Sequence, residues 1–464
     1  MVVPVQETEI TSQSPSPSSP PLAEIMTVTA QHISAVLSGT SLTQCLATTP
    51  TAIHAAVLAH DFYALRQLGW AQEVGQLLVP KKPKKPLLYA HLLHSLILLE
   101  AALRWGESGT AGVRPRAAQR PAQVPVYAPH TVVDQAVRAA SQLKLRFHKR
   151  FINGVLRQYQ RERKELLRKV ATQATAVWNF PFWWIQKIQQ AYPDQWRSVL
   201  LQSNTPAPLT LRVNRRQCSV ADYLQHLEQA GFDAYSPGQE TVVLQKNAPV
   251  TALPGFEQGW FSVQDGHAQL AAHLLPVQNG DYVLDACAAP GGKAAHLLEL
   301  YDIELVAVDA DAQRLERVRD NLQRLELQHP GVEVMVGDAA QPDGWWSGRL
   351  FDAILADVPC TASGVVRRHP DIRWLRRITD IKTTAQLQAS ICSALWSLLK
   401  PNGYFLYVTC SVFPAEGEQQ IEQFLQGHAD ARRLSAPGQL LPTPESAELR
   451  GGDGFFYALL QKEG

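Results

Sequence analysis

Six cysteines stand at positions 45, 218, 287, 360, 392 and 410. They form no C-x-x-C pair and no disulfide framework, so a reducing compartment is the default and no metal site is expected. A free cysteine is usually a small buried hydrophobe, and Cys45, Cys218 and Cys392 read that way. Cys360 and Cys410 do not. Asp357-Val358-Pro359-Cys360 and Thr409-Cys410-Ser411 each close an apolar, strand-like run and place a thiol on a polar turn, where it can meet a ligand.

A third turn is more specific still. Asp285-Ala286-Cys287-Ala288-Ala289-Pro290-Gly291-Gly292-Lys293 follows a strand-like run and opens a helical segment. Glycines let backbone approach a ligand closely, and the positive end of the helix favours a carboxylate or phosphate. A phosphate-cradling G-x-x-x-x-G-K-[ST] loop would need Gly at 287 and Ser or Thr at 294, where Cys287 and Ala294 stand. The dinucleotide G-x-G-x-x-G is also absent. What remains suits S-adenosylmethionine, whose amino-acid end fits a helix start.

Acidic residues at successive strand ends support that choice. Asp309 ends the second strand and is placed to accept from both ribose hydroxyls; Asp338, after the third, is placed at the adenine edge; Asp357 ends the fourth. One such aspartate is commonly a helix cap. Four along one sheet edge, counting Asp285, point to a ligand.

A methyl donor beside two thiols narrows the chemistry. Nitrogen acceptors carry a lone pair and need no thiol. C5 of cytosine is too electron-poor to attack unaided, but a thiolate adding to C6 converts the ring to an enamine whose C5 can take a methyl group. Loss of the C5 proton and expulsion of the thiolate complete the exchange. If the fourth and fifth strands are neighbours, Cys360 and Cys410 share this cleft. Which of them attacks is left open by the residues alone.

These turns need a scaffold. Strand-like runs at Tyr282–Leu284, Ile303–Val308, Val332–Val336, Phe351–Ala356 and Tyr404–Val408 alternate with helical segments, and Phe455–Leu460 adds a late strand. That order predicts a doubly wound, largely parallel sheet over residues 256–464. Residues 173–255 mix short strands and a helix into a small α+β connecting subdomain. Residues 23–172 are helical by apolar spacing, and the Ser/Pro-rich start, residues 1–22, is expected to be disordered. Residues 106–129, rich in Pro, Gly and Ala, read as a flexible insertion. The apolar run Leu87–Leu103 is broken by His91, His94 and Glu100 and is shorter than a bilayer span of about 20 residues, so it predicts a buried helix. No secretory signal is visible, and a cytoplasmic protein with no membrane association is expected.

The net charge of +1 conceals a strong segregation. Residues 81–169 hold 19 Lys and Arg against 5 Asp and Glu, a local +14, while the rest of the chain sums to −13. Such a basic region attracts a polyanion.

Together, D-A-C-A-A-P-G-G-K, D-V-P-C, T-C-S, the Arg367-Arg368-His369-Pro370-Asp371 run and Phe261-Ser262-Val263-Gln264-Asp265 resemble the RNA 5-methylcytosine methyltransferases. The helical part, with Phe151-Ile152-Asn153-Gly154-Val155-Leu156-Arg157, resembles a NusB-like RNA-binding domain. The resemblance covers roughly residues 30–464. It implies a Rossmann-like methyltransferase with a mostly parallel seven-stranded sheet behind an all-α domain. It implies Cys410 as the thiolate that attacks C6 and Cys360 as the group that assists product release. Cofactor contacts carry over to Cys287, Ala288, Ala289, Pro290, Gly291, Gly292, Lys293, Asp309, Asp338 and Asp357. The substrate so implied is small-subunit ribosomal RNA, at cytosine 967 of the 16S molecule. Ala415-Glu416-Gly417 departs from a Glu-Glu-Asn-like run in relatives, which puts local loop contacts in doubt.

The target base must leave its stack to be reached. Arg367, Arg368, His369 and Arg373, with Arg376 and Arg377, are candidates to clamp phosphates beside it, and Lys149, Arg150 and Arg157 on the basic helix to grip RNA further off. Trp345 and Trp346 are assigned to loop packing rather than base stacking. Nothing demands more than a monomer. A transfer-RNA target, another ribosomal site, or an assembly factor whose methylation is dispensable are the competing readings.

Overall fold

The computed structural model describes residues 20–105, 124–444 and 452–464. Residues 1–19 of the expected disordered start, 1–22, and most of the 106–129 insertion lie outside them, while Leu22 already opens the first helix. The chain divides into two compact units, Met1–Val170 and Ala171–Gly464.

The first unit is helical: α1 (Leu22–Val36), α2 (Leu42–Leu46), α3 (Thr51–Leu78), α4 (Pro86–Trp105), α5 (Pro129–Gln142) and α6 (Lys149–Val170). Ser41 and Gln44 cap the start of α2 reciprocally. The apolar Leu87–Leu103 run forms α4, which has the length and hydropathy of a membrane span but is largely covered by α1, α3 and α5. It is apolar all round because it is a core helix. α6 is the opposite case. Ile152, Val155, Leu156, Tyr159, Leu166 and Val170 bury one stripe, and the remaining faces carry its arginines and lysines. Glu100 of α4 anchors it, accepting from Tyr159 Oη at 2.5 Å and from Arg163 at 2.7 and 2.8 Å.

The second unit begins with α7 (Ala174–Trp178), α8 (Phe182–Ala191) and α9 (Trp196–Ser203). Next come β1 (Thr210–Val213), α10 (Val220–Gln229), β2 (Ala234–Gly238), β3 (Thr241–Leu244) and β4 (Phe261–Val263). The four strands make an antiparallel sheet in the order β2-β3-β1-β4. Leu211, Val213, Val242, Leu244 and Phe261 pack on Tyr223 and Leu227 of α10. Phe261–Val263, whose sequence places it at the head of the methyltransferase segment, thus joins the small sheet.

The larger sheet follows: α11 (Leu270–Leu274), β5 (Tyr282–Ala286), α12 (Gly292–Leu300), β6 (Glu304–Asp309), α13 (Ala312–Arg324), β7 (Val332–Val336), β8 (Phe351–Asp357), α14 (Ile372–Leu375), α15 (Ile378–Trp396), β9 (Leu399–Thr409), α16 (Glu418–Gly427), β10 (Ala431–Leu440) and β11 (Phe455–Lys462). Its order is β10-β11-β9-β8-β5-β6-β7. β5 to β9 run parallel, and β10 and β11 are antiparallel. The chain winds outward from β5 through β6 to β7, then crosses to β8 on β5's other side. Ligands of open α/β sheets bind at such a reversal, beyond the carboxyl ends of the strands. β10 was not anticipated from sequence. It is an edge strand with Arg432, Arg433, Pro437 and Gly438, which keep an edge from pairing further and erase the strand signature.

Candidate active site

β8 and β9 pair in parallel, with Asp357 opposite Val408, so the turns that follow them emerge side by side. There the Cys360 and Cys410 sulfurs lie 3.4 Å apart, both half-buried and both free thiols. The adjacency expected from strand order is present. The Cys360 thiol is held well above the usual cysteine range, first by its hydrogen bond with Cys410 and then by burial.

The two turns are stitched together by groups the motifs do not advertise. Glu416, fully buried, accepts from Thr361 N at 2.7 Å, Thr361 Oγ1 at 2.5 Å and Ser411 Oγ at 2.6 Å. One carboxylate thus grips the residue after each cysteine. Gly364 N donates to the Cys410 carbonyl at 2.9 Å, and Val412 N to Ser363 Oγ at 2.9 Å. Gly364 is glycine of necessity, since a Cβ there would stand 2.1 Å from the Gly454 carbonyl. Sequence reading treated Ala415-Glu416-Gly417 as a weakened motif. Its glutamate is the clamp, and only its burial reveals that.

The turn after β5 is held from two sides. Cys287 adopts φ +66° and Gly291 φ +95°, the left-handed conformations that fold the loop back before α12. Asp309 Oδ2 accepts from Ala289 N at 3.1 Å, while Ala288 N donates to the Val308 carbonyl at 2.9 Å. From α13, Arg314 and Asn321 donate to the carbonyls of Ala289 and Pro290 at 2.6 and 2.9 Å. A fully buried Arg212 on β1 donates to the Gly292 carbonyl at 2.5 Å and pairs with Glu299 of α12 at 2.7 and 2.8 Å. The small sheet therefore braces the helix that opens at the loop.

Lys293 Nζ donates to Asp357 Oδ2 at 2.5 Å. Burial pulls the ammonium down, but the Asp357 charge and hydrogen bond, with Cys410 and Asp285 behind them, leave it above the usual lysine value. Lys293 thus sets a fixed cation within electrostatic reach of Cys410. Asp285 is fully buried, its carboxyl pushed well up by burial and by Asp357, so it belongs to the interior rather than to a ligand surface. Asp338 is exposed, accepts from Ala340 N at 2.9 Å, and borders a cavity of about 490 Å³ with Gly337 and Gln341. Trp345 and Trp346 donate to the carbonyls of Asp338 and Arg349 and pack on the core below, as expected of loop-packing residues. A glycine-hinged loop at a helix start, with Asp309, Asp338 and Asp357 at the ends of β6, β7 and β8 on either side of it, fits an adenosyl amino acid: donors for its carboxylate, acceptors for its hydroxyls and ring edge.

The arginines expected at the RNA separate sharply. Arg367 is 1% exposed, ion-paired with Asp453 at 3.2 Å. Arg373 is fully buried, stacks 4.0 Å over the Phe180 ring and donates to Asn179 O, Ser203 O and Asn204 Oδ1. Neither offers a guanidinium to a phosphate, because the interior already uses it. Arg368 is mostly covered and bridges Asp265 and Asp453 at 2.8 and 2.6 Å. Arg376 donates to the Thr361 carbonyl at 2.9 Å, supporting the Cys360 turn. His369 and Arg377 are exposed. In the first unit, Arg150 and Arg157 are exposed and Lys149 half-buried, lining with Pro129, His130 and Val133 a groove of about 760 Å³. Phe147 beside it is 84% exposed.

Comparison with known proteins agrees with this architecture. The family model described as 16S rRNA methyltransferase RsmB/F matches residues 272–461, and its companion, the RsmF/B-like ferredoxin-like domain, matches 180–251. The chain is similar to ribosomal RNA small subunit methyltransferase B of Serratia proteamaculans (strain 568), 47% identical over 342 residues, covering 72% of this chain and 78% of that protein. It is equally similar to the protein of that name from Yersinia pestis bv. Antiqua (strain Angola), 47% identical over 344 residues with the same coverage. Among solved structures, PH0851 shares the fold with a TM-score of 0.73 at 22% identity, covering 94% of this chain and 99% of its own. A methyltransferase homolog protein from Pyrococcus horikoshii aligns at a TM-score of 0.53 and 26% identity, covering 62% of this chain and 97% of its own. The paired thiols, the glycine-hinged loop and these relatives place the chain in the family of ribosomal RNA small subunit methyltransferases, enzymes that methylate ribosomal RNA cytosine with S-adenosylmethionine as donor.

Proposed function

We propose that the protein methylates C5 of one cytosine in 16S ribosomal RNA, cytosine 967 being the site its family resemblance implies, through a transient bond between Cys410 and C6. The observation that carries this reading is the 3.4 Å approach of two half-buried thiols beside the Lys293–Asp357 pair.

Residues Cys287 to Lys293, Asp309, Asp338 and Asp357 would hold S-adenosylmethionine, which supplies an electrophilic methyl group. Cys410, with the Lys293 cation in reach, adds as the thiolate to C6 and makes C5 nucleophilic. Once C5 carries the methyl group, its proton leaves, the C5–C6 double bond re-forms and the Cys410 sulfur departs with the electrons of the C6–S bond. Cys360, its sulfur 3.4 Å from that of Cys410, is suited to meet the departing sulfur. Lys149, Arg150 and Arg157 are proposed to bind RNA backbone in the first unit, and His369, exposed on the segment after Cys360, in the second. The six unpaired cysteines support the cytoplasm as its compartment.

RNA carrying 5-fluorocytosine at the target has no C5 proton to lose and should trap the protein covalently. Cys410→Ala should abolish the adduct; an adduct that persists sinks the assignment. Cys360→Ala should accumulate adduct on ordinary RNA, and clean turnover by that variant counts against its release role. Bisulfite sequencing of ribosomal and transfer RNA, with and without the protein, identifies the nucleotide.

A further inference from the structure

Behind the cofactor loop lies a cluster that methyl transfer does not use. Glu240, 1% exposed in the turn between β2 and β3, faces His273 on α11 and His296 on α12. Its Oε2 is 2.9 Å from His273 Nε2 and 3.8 Å from His296 Nε2, and one donor atom from each residue lies within 4.8 Å of the others. The two rings meet edge to face, centroids 5.2 Å apart. Among the described residues neither nitrogen of the buried His296 has a hydrogen-bond partner.

Hydrogen bonding alone does not account for this arrangement. Glu240 is satisfied by His273 on one oxygen and by Arg215, at 3.0 Å, on the other. His296 reaches the same carboxylate only at 3.8 Å, beyond hydrogen-bond distance, although burial of a poorly paired polar ring is costly. A cation resolves it. Zinc takes imidazole nitrogen at about 2.0–2.1 Å and carboxylate oxygen at about 2.0–2.2 Å in tetrahedral geometry. Neighbouring donors then stand roughly 3.3 Å apart, between the 2.9 and 3.8 Å found here. The partly open His273 side leaves room for a water as fourth ligand. Arg215 on the far oxygen is the kind of outer partner that orients a ligating carboxylate.

We propose that Glu240, His273 and His296 bind one divalent cation of the zinc class, tying the small sheet to the helix that opens at Gly291-Gly292. Binding takes His273 through Nε2, its ring proton then standing on Nδ1, so the neutral imidazole and the Glu240 carboxylate serve as ligands without a proton being lost. The expectation of no metal rested on the cysteines, and these ligands come from three separate elements with no motif spacing.

The full chain, stripped with a chelator and dialysed against zinc alone, should retain one equivalent by elemental analysis and melt at a higher temperature than the stripped protein. The Cys360–Cys410 pair is the competing ligand set, so cobalt(II) is the discriminating probe. It should give visible ligand-field bands without a thiolate charge-transfer band. Retention should be unchanged in Cys360→Ser/Cys410→Ser and weakened at least tenfold in Glu240→Gln and in the partly exposed His273→Gln. Failure to retain metal overturns the proposal. So does retention that survives Glu240→Gln and His273→Gln, or a thiolate band that vanishes with the cysteines.

Discussion

The interiors of the two units are polar in different ways. In the helical unit the buried polar side chains include, beside His32 and Asp61 in contact at 2.7 Å, a set of three imidazoles: His60 Nδ1 meets His94 Nε2 at 3.2 Å, and His91 Nε2 meets the Ala136 carbonyl at 2.9 Å, all inside the α3–α4–α5 core. In the catalytic unit they are ion pairs, Arg212 with Glu299 and Arg367 and Arg368 with Asp453 and Asp265. The arginines of the helical unit instead stand mostly on its surface, along α6. A neutral imidazole costs little to bury but must not be protonated, whereas a buried pair tolerates acid better but cannot lose one partner. Each unit therefore has its own point of failure.

Acid should find the first of these, with the largest effect. Burial lowers His60 and His91 to about 4 and takes His94 well below the usual histidine value. Their folded-state values lie below the unfolded one. Between pH 6.5 and about 4 the unfolded chain binds protons that the folded unit refuses, so stability falls as pH drops through that window and levels off beneath it. The loss is on the order of 3 kcal/mol for each of His60 and His91. Hydrogen exchange on the full chain should show α3 and α4 amides opening between pH 6 and 4.5 while β5, β8 and β9 stay protected. Among the described histidines of the catalytic unit, His296 is lowered comparably, to about 3, chiefly by burial. Equal loss of protection in both units would erase the contrast.

Removing one member of a buried pair should come next. Arg212→Met leaves Glu299 charged and sealed beneath the cofactor loop, at a cost of ~3–5 kcal/mol to the catalytic unit. Replacing both, as Arg212→Met/Glu299→Leu, should return most of that stability. The urea midpoint of the two variants decides it. If the double variant is as weak as the single one, the interaction with Gly292 O and Gln264, not the ion pair, is what holds α12.

Glu416→Gln should spare the fold more and strike turnover. The amide keeps the shape but cannot accept from Thr361 N, Thr361 Oγ1 and Ser411 Oγ together. A misplacement of about 1 Å at the thiols costs about 10²-fold in rate. The expected signature is a fall of that size in kcat with cofactor affinity unchanged. A loss confined to thermal stability would make Glu416 a strut for the fold alone.

Much of the catalytic geometry could be read from the chain because it follows from strand order. Alternating strands and helices put the turns of β8 and β9 at one edge, so Cys360 and Cys410 meet although neither is near the other in sequence. The turn after β5 was legible because its glycines follow a strand-like run and open a helix. Burial was not legible. Arg367 and Arg373 look, in an R-R-H-P-D-I-R run, like any phosphate clamp, and their partners Asp453 and Asn204 are distant in sequence. Arg212 and Glu299 were invisible for the same reason. β2 and β10 escaped because edge strands carry proline, glycine and charge where central strands carry valine and isoleucine.

That same confusion between buried and exposed arginine sets the smallest effect and its test. Arg150 and Arg157 stand in solvent on α6, so Arg150→Ala and Arg157→Ala should each change stability by no more than about 0.5 kcal/mol. Each should weaken RNA binding by about 1 kcal/mol, equally for unrelated sequences, and lower the slope of log K against log salt by about 0.7–1. The salt slope matters more than the affinity, because an arginine that only packs against the helix changes affinity without changing the number of counterions released. Arg373→Ala should do the reverse, unfolding the catalytic unit sooner while leaving the slope of the surviving folded protein untouched. A drop in melting temperature from Arg150→Ala matching that from Arg373→Ala would mean that α6, too, spends its charge on its own fold, and the RNA surface would have to be sought elsewhere.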